Sequence, residues 1–226
     1  GTGDQYDFDR KSPWIDDDNA GWGACYSNDA GRVIAGNTFD FVAVHGRSVL
    51  AAGRSFVSVS DEVFNSDGFD VKPWCAVDLL FGEEKTTASA FDPARKEFRI
   101  YTPEFITSLQ KLAEASVPVF MSGAYTGTDL VMASDSATTA TVMRLLHFKP
   151  RTDHAVKTGE LYATDYSHPV FEGTYTFNTG DIDSIYAAES PDAIEPADSV
   201  SYTAFRYSEN NTSAVVAGRG TVRSVV

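Results

Sequence analysis

A chain of 226 residues that is 42% hydrophobic, with 15 Phe and 10 Tyr, has the material for one large domain with a substantial core. Its net charge of −14 opposes binding to phosphate backbones or anionic bilayers, so nucleic acid is not an expected partner. No apolar run approaches the ~20 residues a membrane span needs, so membrane insertion is not expected either.

Residues 1–35 read as an irregular arm or linker, aromatic, acidic and Gly-rich, with Trp14, Trp22 and Tyr26 able to stack on sugars. The chain opens on GTGDQYDFD without an initiator Met, as a processed product does. The acidic stretch at 16–21 hints at a calcium loop, but Ala20 stands where a ligand is needed and no Glu closes the loop. The stretch at 178–184 is shorter still, and both read as solvated turns.

From residue 36 to 226 the pattern is that of an α/β domain. FDFVAV (39–44) is a short buried strand, and HGRSVLAAG (45–53) a helix ending at Gly53. SFVSVS (55–60) alternates as a strand, and SDEVFNSDG is a short helix capped by Ser60 or Asp61. CAVDLLFG (75–82) is a buried strand in which Cys75 behaves as a small core residue, and residues 83–98 are a long charged loop. Glu83 and Glu84 sit there as a solvated pair. The two cysteines, Cys25 and Cys75, are compatible with a disulfide in an oxidising compartment, and spacing alone does not decide it.

The clearest helix is 102–116, with Thr102 as N-cap, Pro103 first in the helix, Glu104 in the first turn, and Phe105, Ile106, Leu109 and Leu112 on one face. VPVFMS (117–122) is the next strand, and 135–148 a second helix with Val142, Leu145, Leu146 and Phe148 as its apolar set. Beyond residue 155 the chain is β-rich and stops in the apolar RSVV, which reads as an end inside a strand. Strands alternating with helices predict an α/β fold with three layers and a mostly parallel sheet, flavodoxin-like, with a β-rich C-terminal part. Ligands of such sheets bind at the carboxyl ends of the strands.

That rule singles out the bend at 122–129, SGAYTGTD. Tyr125 sits between Gly123 and Gly127, the spacing of a nucleophile elbow, but a phenol is a poor replacement for Ser or Cys. Three readings stand side by side. One is a plain strand–loop–helix turn. The second is catalysis by Ser122, Tyr125 or Asp129. In the third the loop binds a ligand, Tyr125 stacking and Gly123, Ala124, Thr126, Gly127 and Thr128 lining the contact. His45, at the end of the first strand, is the best single acid or base, with Asp78 able to support it. His168, in HPVFE (168–172), is a second ligand-side candidate. No two histidines share a metal-ligand spacing, and no nucleotide or zinc-protease motif occurs, so no metal and no cofactor is expected. Asn210 and Asn211 are glycosylation acceptors only in a eukaryotic secretory route.

Several stretches together, AGNTFDFVAVHG, WCAVDLLFGEE, YTPEFITSLQ, VFMSGAYTGTDL and DAIEPAD with RYSENNTSAVV, resemble the carboxyl-terminal region of secreted Bacteroidetes proteins labelled xanthan-lyase-like or N-acetylmuramoyl-alanine-amidase-like. The layout is also similar to class I glutamine amidotransferase-like domains, with Tyr125 in place of their elbow cysteine. The resemblance implies an extracellular, periplasmic or cell-surface location. It further implies a larger polysaccharide-processing protein in which this module binds glycan or peptidoglycan, or supports its neighbouring modules, without glutamine hydrolysis. A polysaccharide lyase or peptidoglycan hydrolase using His45 and Tyr125 is the enzymatic alternative, and a pure scaffold the third.

Overall fold

A computed structural model describes residues 48–49, 52–57, 59, 61–82, 86–88, 92–97, 99–167, 170–177 and 191–226. The arm at 1–35, the strand expected at 39–44, His45, Cys25, Glu83, Glu84, His168 and the stretch 178–190 lie outside the described residues.

Locally encoded elements form where the sequence places them. Helix α1 (Asp61–Phe64) precedes strand β1 (Val77–Gly82). The expected loop at 83–98 contains a small antiparallel ribbon of β2 (Thr87–Ala88) and β3 (Lys96–Glu97). Helix α2 (Pro103–Glu114) starts as its sequence dictates: the Thr102 hydroxyl accepts the Phe105 N–H at 3.1 Å, and Pro103 needs no N–H partner at the first helical position. Phe105, Leu109 and Leu112 are buried on one face, and the Ser108 hydroxyl, also buried, donates to the Phe64 carbonyl of α1 at 3.4 Å. The helix unwinds at Ser116, which takes φ 55° and lets Val117 N–H return to the Leu112 carbonyl.

Strand β4 (Val119–Gly123) is followed by α3 (Thr126–Ala133), α4 (Ser136–Leu146) and β5 (Phe148–Thr152). The remaining strands are β6 (Glu160–Ala163), β7 (Thr174–Thr176), β8 (Ala193–Pro196), β9 (Ser201–Tyr207), β10 (Ser213–Arg219) and β11 (Arg223–Val225). The alternation at 55–60 does not become a strand: residues 55–57 and 59 carry no regular structure. Cys75 is exposed rather than in the core.

The fold class expected from the sequence is overturned. The described chain is mostly β: one seven-stranded mixed sheet, curled into a half-barrel, with few short helices, and not a three-layer, mostly parallel, flavodoxin-like α/β fold. Strand order is β1-β4-β11-β10-β9-β6-β7, and only β1–β4 and β4–β11 are parallel. The physical reason is connection length. Residues 208–212 join β9 to β10 and residues 220–222 join β10 to β11, and links that short permit only antiparallel pairing, whereas parallel neighbours need a crossover. Strands β5 and β8 form a separate antiparallel ribbon that packs beside β10.

The core lies between the parallel end of the sheet and α2 and α4. Leu112, Leu130, Val142, Leu146, Phe148 and Val216 are wholly buried there. Inward residues alternate with outward ones along β4, so Val119 and Met121 are buried while Phe120 is 47% exposed. On the antiparallel part of the sheet, Phe205 carries Phe171 and Tyr175 against its ring. Among the described residues no helix is long and apolar enough to cross a membrane.

Candidate functional site

Strand β4 delivers Gly123 to the carboxyl edge of the sheet, and the chain turns through Ala124 and Tyr125 into α3. Tyr125 is the N-cap, with φ −121° and ψ 22°, and its side chain makes no capping bond. A nucleophile elbow forces its central residue into strained positive-φ backbone. Here neither Tyr125 nor its flanking glycines adopt it; among the described residues the positive-φ glycines are Gly53 and Gly173. Gly127 serves a different need. A Cβ there would stand 3.2 Å from Asp192 Oδ2 and 3.3 Å from Ile194 Cγ2, so the glycine lets α3 lie against the β5–β8 ribbon.

Two buried carboxylates hold this corner. Asp192, just before β8, accepts the Thr128 N–H at 2.5 Å and the Thr128 hydroxyl at 2.6 Å, and its own N–H donates to the Ala124 carbonyl at 2.8 Å. It therefore performs the capping that Tyr125 does not, from a distant part of the chain. Asp129, in the first turn of α3, faces the other way. It accepts from Thr86 N–H at 2.7 Å, from the Thr86 hydroxyl at 3.2 Å and from Ile100 N–H at 3.3 Å, tying the helix to two loops. Two phenols complete the cluster: Tyr101 donates to the Thr126 carbonyl at 2.7 Å and Tyr207 to the Asp192 carbonyl at 2.8 Å.

Burial dominates the electrostatics. It raises the pKa of Asp129 above the ordinary carboxylate value, with the hydrogen bonds from Thr86 and Ile100 and the charge of Arg99 pulling the other way. Burial likewise raises Asp192, against the bonds from Thr128 and Gly127. Tyr101 is pushed well up by burial and then by the charges of Asp129 and Asp192, and Tyr207 is pushed up by burial and by Asp192. These phenols stay protonated and act as donors.

Of the candidates from the sequence, the structure brings Ala124, Thr126, Gly127 and Thr128 into the capping cluster through Asp192 and Tyr101, and gives Asp129 to Thr86 and Ile100. Ser122 stands apart on β4, half-buried, in register with Leu80 of β1. Asp78 is in register with Phe120, two pairs earlier. His45 and His168, as noted, are outside the described residues.

Sequence reasoning missed Asp192, Tyr101 and Tyr207, which carry no motif. Nor does a motif mark the role of His147, which closes α4 in left-handed conformation (φ 64°) with its Nδ1 2.6 Å from Asp198 Oδ2. The ring is buried flat on Gly218 and Gly220, and its Nε2 is buried without a hydrogen-bond partner. The ring is thus wedged between the end of α4 and the glycines at the end of β10. No group of three or more His, Cys, Asp or Glu among the described residues is arranged to hold a metal ion. Comparison with protein-family models, with curated proteins and with solved structures gives no match.

Proposed function

We propose that the chain is a non-catalytic module of a larger, exported polysaccharide-processing protein, binding glycan or supporting its neighbours at the cell envelope. One observation carries this reading: both oxygens of the buried carboxylate at the bend, Asp129, accept hydrogen bonds, from Thr86 and Ile100, and both oxygens of the buried Asp192 accept from Thr128. A general acid or base must keep an oxygen for the substrate. Here the polar groups of the corner are spent on fixing α3 to its surroundings. The polysaccharide context rests on the resemblance of the 74–84, 101–110 and 119–130 stretches, among others, to secreted lyase-like and amidase-like proteins. The missing elbow thiol supports the absence of amidotransferase chemistry.

The test is calorimetric titration of the chain with polysaccharide and peptidoglycan fragments, beside a product assay on the same ligands. Saturable binding without product release is expected. Release of unsaturated uronate or of peptide, abolished by Tyr125→Phe, would replace this reading with the enzymatic one.

A further inference from the structure

A cleft of roughly 370 Å³ opens beside the capped corner, between the segment entering α2 and the junction of α3 with α4. Arg99, Pro103, Ile106, Ser134, Asp135 and Thr138 line it. Its volume lies in the range of small-molecule sites, and a single pyranose with its substituents fits such a space.

The lining combines three kinds of group. Arg99 is exposed, its charge acts on Asp129, and among the described residues it stands in no ion pair, so it brings a planar fork of donors to the lining. Asp135 gives one oxygen to Thr138 N–H at 2.8 Å as the N-cap of α4, which holds its carboxyl below the ordinary value and ionised. A carboxylate has about four acceptor sites, which leaves capacity for hydroxyl donors. The Ser134 hydroxyl oxygen is buried in this lining with no hydrogen-bond partner, so a bond to a ligand there would cost no existing one. Pro103 and Ile106 supply apolar surface of the sort that meets the C–H face of a sugar ring.

Resting on the glycan-binding reading above, we propose that this cleft binds a carboxylated pyranose, with Arg99 pairing with the sugar carboxylate and Asp135 and Ser134 taking its hydroxyls. The shared chemistry is a sugar carboxylate, whether a uronic acid of a polysaccharide or a muramic acid of peptidoglycan. Planar, bidentate pairing suits guanidinium and carboxylate. In a chain of net charge −14, Arg99 is the group of this lining that favours an anionic unit over a neutral one, and the ionised Asp135 confines the sugar carboxylate to the Arg99 side.

The experiment titrates the full chain by calorimetry with three probes: a galacturonate trisaccharide, a disaccharide of N-acetylglucosamine and N-acetylmuramic acid, and a neutral galactose trisaccharide. The first two arms distinguish the sources. At least one carboxylated probe is expected to bind, with Arg99→Gln weakening it about tenfold or more, Ser134→Ala weakening it less, and the remote Arg223→Gln leaving it unchanged. In the unaltered chain, the Arg99 Nε–H resonance should shift along the same isotherm, a readout that needs no variant to fold. Equal affinity of Arg99→Gln and wild type, or an unmoved Arg99 resonance on binding, overturns the proposal. If only the neutral trisaccharide binds, this cleft assignment falls and the glycan-binding reading stands. If neither these probes nor polymeric glycans bind, both fall.

Discussion

The Asp192 carboxylate takes both donors of Thr128, the backbone N–H at 2.5 Å and the hydroxyl at 2.6 Å, and so caps helix α3 from the residue just before β8, much later in the chain. Removing the carboxylate leaves two polar hydrogens at a buried helix start with no acceptor. Asp192→Ala is expected to lower unfolding stability by about 1–3 kcal/mol in denaturant melts. Thr128→Val should cost less, and the double variant should fall short of the sum of the two, because both remove the same interaction.

Opposite pH signatures should separate the buried carboxylates from the exposed ones. Asp129 and Asp192 have raised folded-state pKa values, so each contributes stability that is full below the ordinary carboxylate value and is lost as pH rises through the raised one. Asp135 and Glu209 have lowered values, from hydrogen bonds with Thr138 and with Thr158 and Lys157 respectively; at Asp198 desolvation is the largest single effect and raises the value, but the hydrogen bonds from His147, Ser201 and Val200 and the charge of His147 together outweigh it and leave it lowered. Their contributions are present above the ordinary value and lost as pH falls through the lowered ones. The melting temperature of wild type relative to Asp192→Asn should therefore rise as pH drops from neutral toward 4, and that of wild type relative to Asp198→Asn should fall on further acidification. Melts across pH check both directions.

Glycine substitutions should sort by what lies beside them. A Cβ on Gly218 would stand 2.5 Å from His147 Cδ2, and one on Gly220 would overlap the far side of the same ring. Either Ala variant must displace the ring and break its bond to Asp198, at an expected cost of about 1–3 kcal/mol. Gly127→Ala, with 3.2 Å to Asp192 Oδ2, should cost less and should weaken the cap. Gly68, with nothing within 4 Å, serves as the control, and its Ala variant should be neutral within about 0.5 kcal/mol. Thermal melts of the four variants give the order directly.

Local signals in the sequence were legible and distant ones were not. Helix α2 could be placed to within a residue or two because Thr102, Pro103 and the face of Phe105, Leu109 and Leu112 act within the segment itself. The strands at 160–163, 174–176, 193–196, 201–207, 213–219 and 223–225 lie beyond residue 155, in the part read as β-rich. Helix α3 was not distinguished from the bend before it, because its cap is Asp192 and the local position, Tyr125, gives no capping signal. Strand direction failed for a related reason. Alternation of strands with α2 and α4 is real, but the sheet is completed by antiparallel strands joined through short turns, and that is decided by connection lengths late in the chain. The Gly–Ala–Tyr–Thr–Gly spacing suggested a strained elbow. Gly127 is there to admit Asp192 and Ile194, a contact invisible from the neighbouring residues.

The most direct test of the central claim, that the corner at 122–129 is a structural joint and not a catalytic one, is a prolonged product assay on uronate polysaccharide and peptidoglycan with wild type and Asp129→Asn, paired with their melting temperatures. No product from either protein, with a lower melting temperature for Asp129→Asn, is the predicted result, since the amide puts a donor in place of one of the two oxygens that accept from Thr86 and Ile100. Turnover by wild type that disappears in Asp129→Asn while the melting temperature holds would contradict the account.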